Sequence, residues 1–178
     1  MNKLLLLLIV PIFCYSQPSA MQAIGSLKTY AIFCPCKLFK YYEAGEIFYF
    51  CEDKKNLIKY HIKEFKHQDR IDILLNALDQ NIYRKEGQRF QSKVGRDKIQ
   101  ALDSYLKKNP NGVMVDFIND KAIVVHGESE KKIFFSDERF IASYEIIVSG
   151  KNNDVINAFF NKSISSLSFK RQGFKKRF

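Results

Sequence analysis

The chain predicts an α+β fold in which an antiparallel sheet of hairpins packs against two or three helices in a single layered domain. Three observations carry that prediction. Leu57, Lys59, His61 and Lys63 alternate strictly with Ile58, Tyr60, Ile62 and Glu64, the period of two of a half-buried strand. Apolar residues recur three and four apart in residues 69–83 and again in residues 153–167, the period of a helix buried on one side. Short polar turns separate the remaining apolar runs, as Asn119-Asp120 does, which is hairpin connectivity.

The elements follow in order. Residues 1–16 read as a secretory signal peptide: Lys3, an apolar run over residues 4–14, then Cys14-Tyr15-Ser16 ahead of Gln17. That run is well short of the roughly 18 to 20 residues that cross a bilayer, so cleavage near Ser16/Gln17 is expected rather than a retained span. Phe13 precedes Cys14 where lipid attachment takes a small residue, so soluble export to the periplasm or the outside is expected. Residues 17–28 form a polar lead with Gly25 and Ser26. A strand over residues 29–34 ends at Pro35, and residues 37–45 make a connection. A second strand, residues 46–51, is followed by the polar turn 52–56 and the alternating strand 57–65.

Asp69 caps a helix carrying Ile71, Leu74, Leu75, Leu78 and Ile82, which Gly87 closes. Residues 88–94 read as a further strand with Gly95 as a breaker. Asp97 and Gln100 resemble a capping box for a second helix through Ile99, Leu102 and Leu106 to Lys108, an irregular strand over 99–106 being the other reading. Asn109-Pro110-Asn111-Gly112 stops it. Residues 113–118 and 121–126 form a hairpin, and residues 132–135 and 140–149 form another through Asp137-Glu138-Arg139. A last helix starts at Asn153 or Asp154 and presents Val155, Ile156, Phe159, Phe160, Ile164 and Leu167. The domain is expected to span residues 29–169, with a basic tail over 170–178.

Sixteen Phe and nine Tyr among 178 residues describe a folding chain rather than a disordered one. The net charge of +10 favours anionic partners. Export makes an envelope protein, an anionic glycan or a membrane surface the relevant ones, and no nucleic acid is expected. The densest cluster, Lys170, Arg171, Lys175, Lys176 and Arg177 with Phe174 and Phe178, can hold an anionic surface at about 1 kcal/mol per basic residue. A solvated terminus has the same composition.

Export leaves Cys34, Cys36 and Cys51 in an oxidising compartment. A Cys36–Cys51 disulfide is expected, because the strands bearing them can pair antiparallel, with Cys34 a buried thiol. The alternative is a copper(I) or zinc site built from Cys34, Cys36, Cys51 and His61, with His67 near in sequence. A thiol nucleophile, Cys34 with His61 or His126, is a further arrangement the composition allows. Asp116, Asp120, Glu128 and Glu130 supply carboxylates for a hydrolase. There is no Gly-rich phosphate loop, nucleophile elbow or paired-His helix motif.

Two runs carry a resemblance to a known family: Ala31-Ile32-Phe33-Cys34-Pro35-Cys36-Lys37 before a strand pair and a helix, and Ser143-Tyr144-Glu145-Ile146-Ile147-Val148-Ser149-Gly150 before Ala158-Phe159-Phe160-Asn161-Lys162-Ser163-Ile164. They resemble exported domains of PsbP/Mog1-like architecture, with a Phe-Pro turn after the first strand and a Phe-Phe-x-x-Ser run in the closing helix. Cys-Pro-Cys departs from the plain Phe-Pro turn. The resemblance implies a non-enzymatic accessory or adaptor role and transfers no catalytic residue. The expected protein is an exported, non-catalytic binding or accessory protein of the cell envelope without a cofactor. A metal-binding protein using Cys34 and Cys36 and a hydrolase are the alternatives.

Overall fold

The computed structural model describes residues 20–26, 29–67, 83–118, 120–137 and 140–170. The expected signal peptide, nearly all of the expected helix 69–83, and Arg171, Lys175, Lys176 and Arg177 of the tail lie outside the described residues. The strands are β1 (Ala20–Ile24), β2 (Thr29–Cys34), β3 (Phe39–Glu43), β4 (Glu46–Asp53), β5 (Ile58–Lys66), β6 (Gly112–Phe117), β7 (Asp120–His126), β8 (Glu130–Ser136), β9 (Ala142–Gly150) and β10 (Ser168–Lys170). The helices are α1 (Tyr83–Lys108), between β5 and β6, and α2 (Asn153–Ser166), between β9 and β10.

Local pairing builds two antiparallel sheets rather than the single one expected. The larger runs β3-β4-β5-β9-β8-β7-β6 and the smaller β1-β2-β10. Five of the larger sheet's pairs join strands consecutive in sequence; the β5–β9 pair, from Ile58↔Gly150 to Lys66↔Ala142, joins the two halves.

Alternation along the strands gives the large sheet two apolar faces. On β8, Ile133 and Phe135 enter one cluster and Phe134 the other. The inner face, with Ile47, Tyr49, Cys51, Tyr60, Ile62, Tyr144 and Ile146, packs against Ile24, Tyr30 and Ile32 of the small sheet and Ile156 and Phe160 of α2. Tyr30 meets Phe135 and Tyr144 edge-on, with centroids 5.9 and 5.3 Å away. A polar tie runs through this layer: Ser163 Oγ donates to the Phe33 carbonyl at 2.8 Å and lies 2.8 Å from Tyr60 Oη. The outer face is covered over β7 and β8 by α1, where the Tyr105 ring stacks on Phe134 at 4.4 Å beside Leu102 and Ile123.

α2 begins as expected. Asn152 accepts from the N–H groups of Asp154 and Val155 at 2.9 and 3.3 Å, an N-cap, and Leu167 ends the helix rather than continuing it.

Several expectations are corrected. Within the expected polar lead, residues 20–24 form β1. Its inward positions are Ile24 and Gln22, whose amide holds the turn after β2 by donating to the Cys36 carbonyl at 2.6 Å and accepting from Leu38 N–H at 2.7 Å. The expected connection 37–45 contains β3, all five residues of which are exposed, so no burial period marks it. Its hairpin turns through Ala44 and Gly45 at φ +49° and +81°, and alanine at that first place conceals the turn. Leu57 stands in the preceding turn at φ +56°, so the strand starts at Ile58.

The expected strand 88–94 and the breaks at Gly87 and Gly95 give way to one helix of 26 residues, so Asp97 is interior to it rather than its cap. A helical glycine costs about 1 kcal/mol relative to alanine, which lowers stability without forbidding the helix. The irregular-strand reading of 99–106 is likewise overturned. Finally, Ser168–Lys170 add β10 alongside β2, which brings Lys170 out of the expected tail into the small sheet.

Candidate functional site

The thiols separate first. Cys36 and Cys51 form a disulfide with Cα atoms 5.8 Å apart, linking the turn after β2 to β4 and so one sheet to the other. Cys34 is fully buried and unpaired, and desolvation pushes its thiol up to about 12. Burial thus disfavours the thiolate that a nucleophile uses.

His61 lies on the opposite face of the large sheet. Tyr60 and Ile62 on either side of it face the inner core with Cys51, while His61 stacks on Phe48 at 5.4 Å and places Nε2 3.2 Å from Tyr41 Oη. The sheet therefore divides Cys34, Cys36 and Cys51 from His61, and neither the four-residue metal set nor the Cys34–His61 pair is assembled. Among the described residues, no group of three or more His, Cys, Asp and Glu gathers to hold a metal.

His67 stacks on Phe140 at 4.0 Å, with Nε2 2.9 Å from Ser143 Oγ. His126 Nδ1 accepts from Lys131 Nζ at 2.8 Å. Since an ammonium only donates, this fixes a neutral imidazole protonated on Nε2. Burial first, then the Lys131 charge, holds His126 below its ordinary range.

The candidate carboxylates are engaged with lysines. Asp116 pairs with Lys121 at 2.5 Å, Asp120 with Lys98, and Glu130 with Lys132 at 2.7 Å. Glu128 is exposed. Asp116 and Asp120 border an open depression of about 530 Å³ at the β6–β7 turn. Both carboxylates there are already ion-paired with lysines.

One carboxylate escaped the candidate set although its signal was plain. Glu64 occupies the apolar phase of β5 with Tyr60 and Ile62 and is fully buried. It accepts from Ser26 N–H at 3.0 Å, from Ser26 Oγ, and from Tyr49 Oη at 3.2 Å, while Tyr49 Oη accepts from Gly25 N–H at 2.9 Å. Burial and the Glu64 charge both raise the Tyr49 hydroxyl above its ordinary range. Beside Glu64 in register stands Tyr144, whose buried hydroxyl has no hydrogen-bond partner among the described residues. This cluster pins the end of β1 to the large sheet.

The surface best shaped for contact lies on the outer face over β3, β4 and β5, beyond the part that α1 covers. Tyr41 stacks on Phe48 at 5.1 Å and 15°, and Phe48 on His61 at 5.4 Å and 17°, a stack of three rings across three strands. Phe39, opposite Phe50 in register, is 64% exposed. The flanking charges cancel in pairs: Lys63 with Glu46, and Lys59 with Glu52 at 3.8 Å. Strand alternation places these aromatics on one side, and the β3 contribution comes from within the expected connection 37–45. Compared with protein families, with curated proteins and with solved structures, the chain matches none.

Proposed function

We propose that this is an exported, non-catalytic accessory protein that binds another protein through the aromatic face of β3, β4 and β5. The Tyr41–Phe48–His61 stack with exposed Phe39 beside it carries the reading, since protein interfaces are enriched in aromatic side chains at their cores. Because Lys59 and Lys63 are neutralised by Glu52 and Glu46, the face has little field to draw an anionic lipid or glycan, and a weakly charged protein surface is its chemical complement. Export is supported by the signal-like residues 1–16 and by a disulfide, a bond that persists in oxidising compartments. No described helix is long and apolar enough to cross a membrane. The resemblance of residues 31–37 and 158–164 to PsbP/Mog1-like domains supports an accessory role.

A photo-crosslinking residue at Phe39 tests this in the exporting cell. One discrete protein adduct is expected, lost when Tyr41 is replaced by Ser while the fold is retained. Absence of any adduct, together with binding of the purified chain to vesicles of anionic lipid, would move function to a charged surface elsewhere.

A further inference from the structure

Both edges of the large sheet end in short strands, and the two edges differ in kind. β3 carries Lys40 and Glu43, charges of the sort that discourage edge-to-edge pairing. β6 carries Val113-Met114-Val115 at its centre, with Val113 and Met114 56% and 44% exposed and Asp116 as its single charge. Among the described residues β6 pairs with β7 alone.

The β6–β7 hairpin fixes which backbone groups remain open. Phe117 and Asp120 flank a two-residue loop in which Ile118 has φ +47°, so this closing pair exchanges backbone hydrogen bonds. Because such pairs alternate along an antiparallel ladder, Val113, Val115 and Phe117 bond towards β7, while Met114 and Asp116 turn N–H and C=O outward. Gly112 N–H is already held by the Asn109 carbonyl at 2.9 Å.

We propose that β6 pairs antiparallel with β6 of a second copy of this chain, about a two-fold axis at Met114, joining two seven-stranded sheets into one. The outward groups demand this parity, since an outward residue must face an outward residue. An axis at Met114 sets Val113 of each copy against Val115 of the other and each Asp116 against Gly112, so no like charges meet. An axis at Val115, another arrangement of the same parity, would instead set each Met114 against an Asp116, and one at Asp116 would set the two carboxylates against each other. The surrounding charges are complementary in the same sense. α1 ends in Lys107 and Lys108 just ahead of the start of β6, and antiparallel pairing brings that end beside the Asp116 and Asp120 end of the second copy. Asp116, with its side chain 86% exposed, is accessible to a further cation.

Sedimentation of the purified protein should show a concentration-dependent dimer. Met114→Lys opposes two charges at the axis and is expected to weaken the dimer at least about tenfold with the monomer's circular dichroism unchanged. Independently of that variant's folding, Met114→Cys is expected to form a symmetric intermolecular disulfide under mild oxidation, because Cα atoms of a hydrogen-bonded antiparallel pair lie about 5.5 Å apart. Glu43→Cys, on the other edge, is expected to form none. A chain that remains monomeric at about 100 μM overturns the proposal, as does a dimer that Met114→Cys fails to bridge. A monomer that takes an extended strand of another protein along β6 overturns it equally.

Discussion

Tyr60 and Tyr144 both stand on the inner face, and what their hydroxyls contribute differs because, of the two, Tyr60 alone finds a partner among the described residues. Tyr60 Oη lies 2.8 Å from Ser163 Oγ and 3.3 Å from the Phe159 carbonyl, whereas Tyr144 Oη is buried with no partner among the described residues. Tyr60→Phe is therefore expected to cost about 1 kcal/mol, and Tyr144→Phe to leave stability unchanged or raise it by up to about 1 kcal/mol, read from urea denaturation midpoints. A large loss for Tyr144→Phe would mean that the hydroxyl has a partner. His126 supplies a pH dependence with a definite sign. Its folded state is held below the ordinary imidazole range, so in that window the unfolded chain binds more protons. Its contribution is complete above the unfolded-state value and is lost as the pH falls. Proton NMR of the ring should show a depressed midpoint that Lys131→Met brings part of the way back. A midpoint unmoved by that substitution would leave burial as the whole cause.

At the scale of elements, two glycines make opposite demands on α1 and its neighbour. A Cβ at Gly95 would meet no atom within 4 Å, so Gly95→Ala is expected to stabilise the helix by about 0.5–1 kcal/mol. A Cβ at Gly112 would lie 2.8 Å from Ile123 Cγ2 and 3.0 Å from Leu106 Cδ2, where α1 meets β6, so Gly112→Ala is expected to destabilise. Thermal melts of the two variants should move in opposite directions; a shared direction would contradict the close approach at Gly112. The same helix shows where sequence reading fails. Alternation exposes β5, β7, β8 and β9 because one or both faces are buried, and α2 starts at Asn153, one of the two expected starts. β3 is exposed at every residue and turns through Ala44, so neither burial period nor turn composition reveals it. α1 runs through Gly87 and Gly95 because a modest propensity cost yields to the packing of Leu102, Tyr105 and Leu106. At the candidate site, the Cys36–Cys51 bridge forms as expected but not on the expected ground: β2 and β4 do not pair, and the bridge joins one sheet to the other. The division of His61 from the thiols follows from the alternation of β5, whose two phases place His61 and Tyr60 on opposite faces. The three-ring stack was not legible, because it needs β3 in register beside β4.

For the whole molecule, the question is what holds the small sheet on the large one. The described residues include three ties between them besides apolar contact. The Cys36–Cys51 bridge lies beyond the Cys34 end of β2, Glu64 holds Gly25 and Ser26 at the opposite end with Tyr49, and Ser163 on α2 links Phe33 and Tyr60 between them. The disulfide closes a loop of sequence separation 15, for which loop-closure entropy gives about 3 kcal/mol. Reduction therefore removes a constraint on one side of the small sheet but leaves the β5–β9 pair at the centre of the large sheet intact. Hydrogen exchange should read this directly. After reduction, amides of β1 and β2 are expected to exchange faster while those of β5 and β9 keep their protection. Glu64→Leu, which strands the Ser26 N–H and the Tyr49 hydroxyl, is expected to release the same two strands, because both changes free one unit. The two together are expected to be non-additive, the second change releasing strands already loosened by the first. Uniform acceleration across all strands on reduction alone would show instead that the sheets unfold as one cooperative body and that the disulfide stabilises the whole rather than the small sheet.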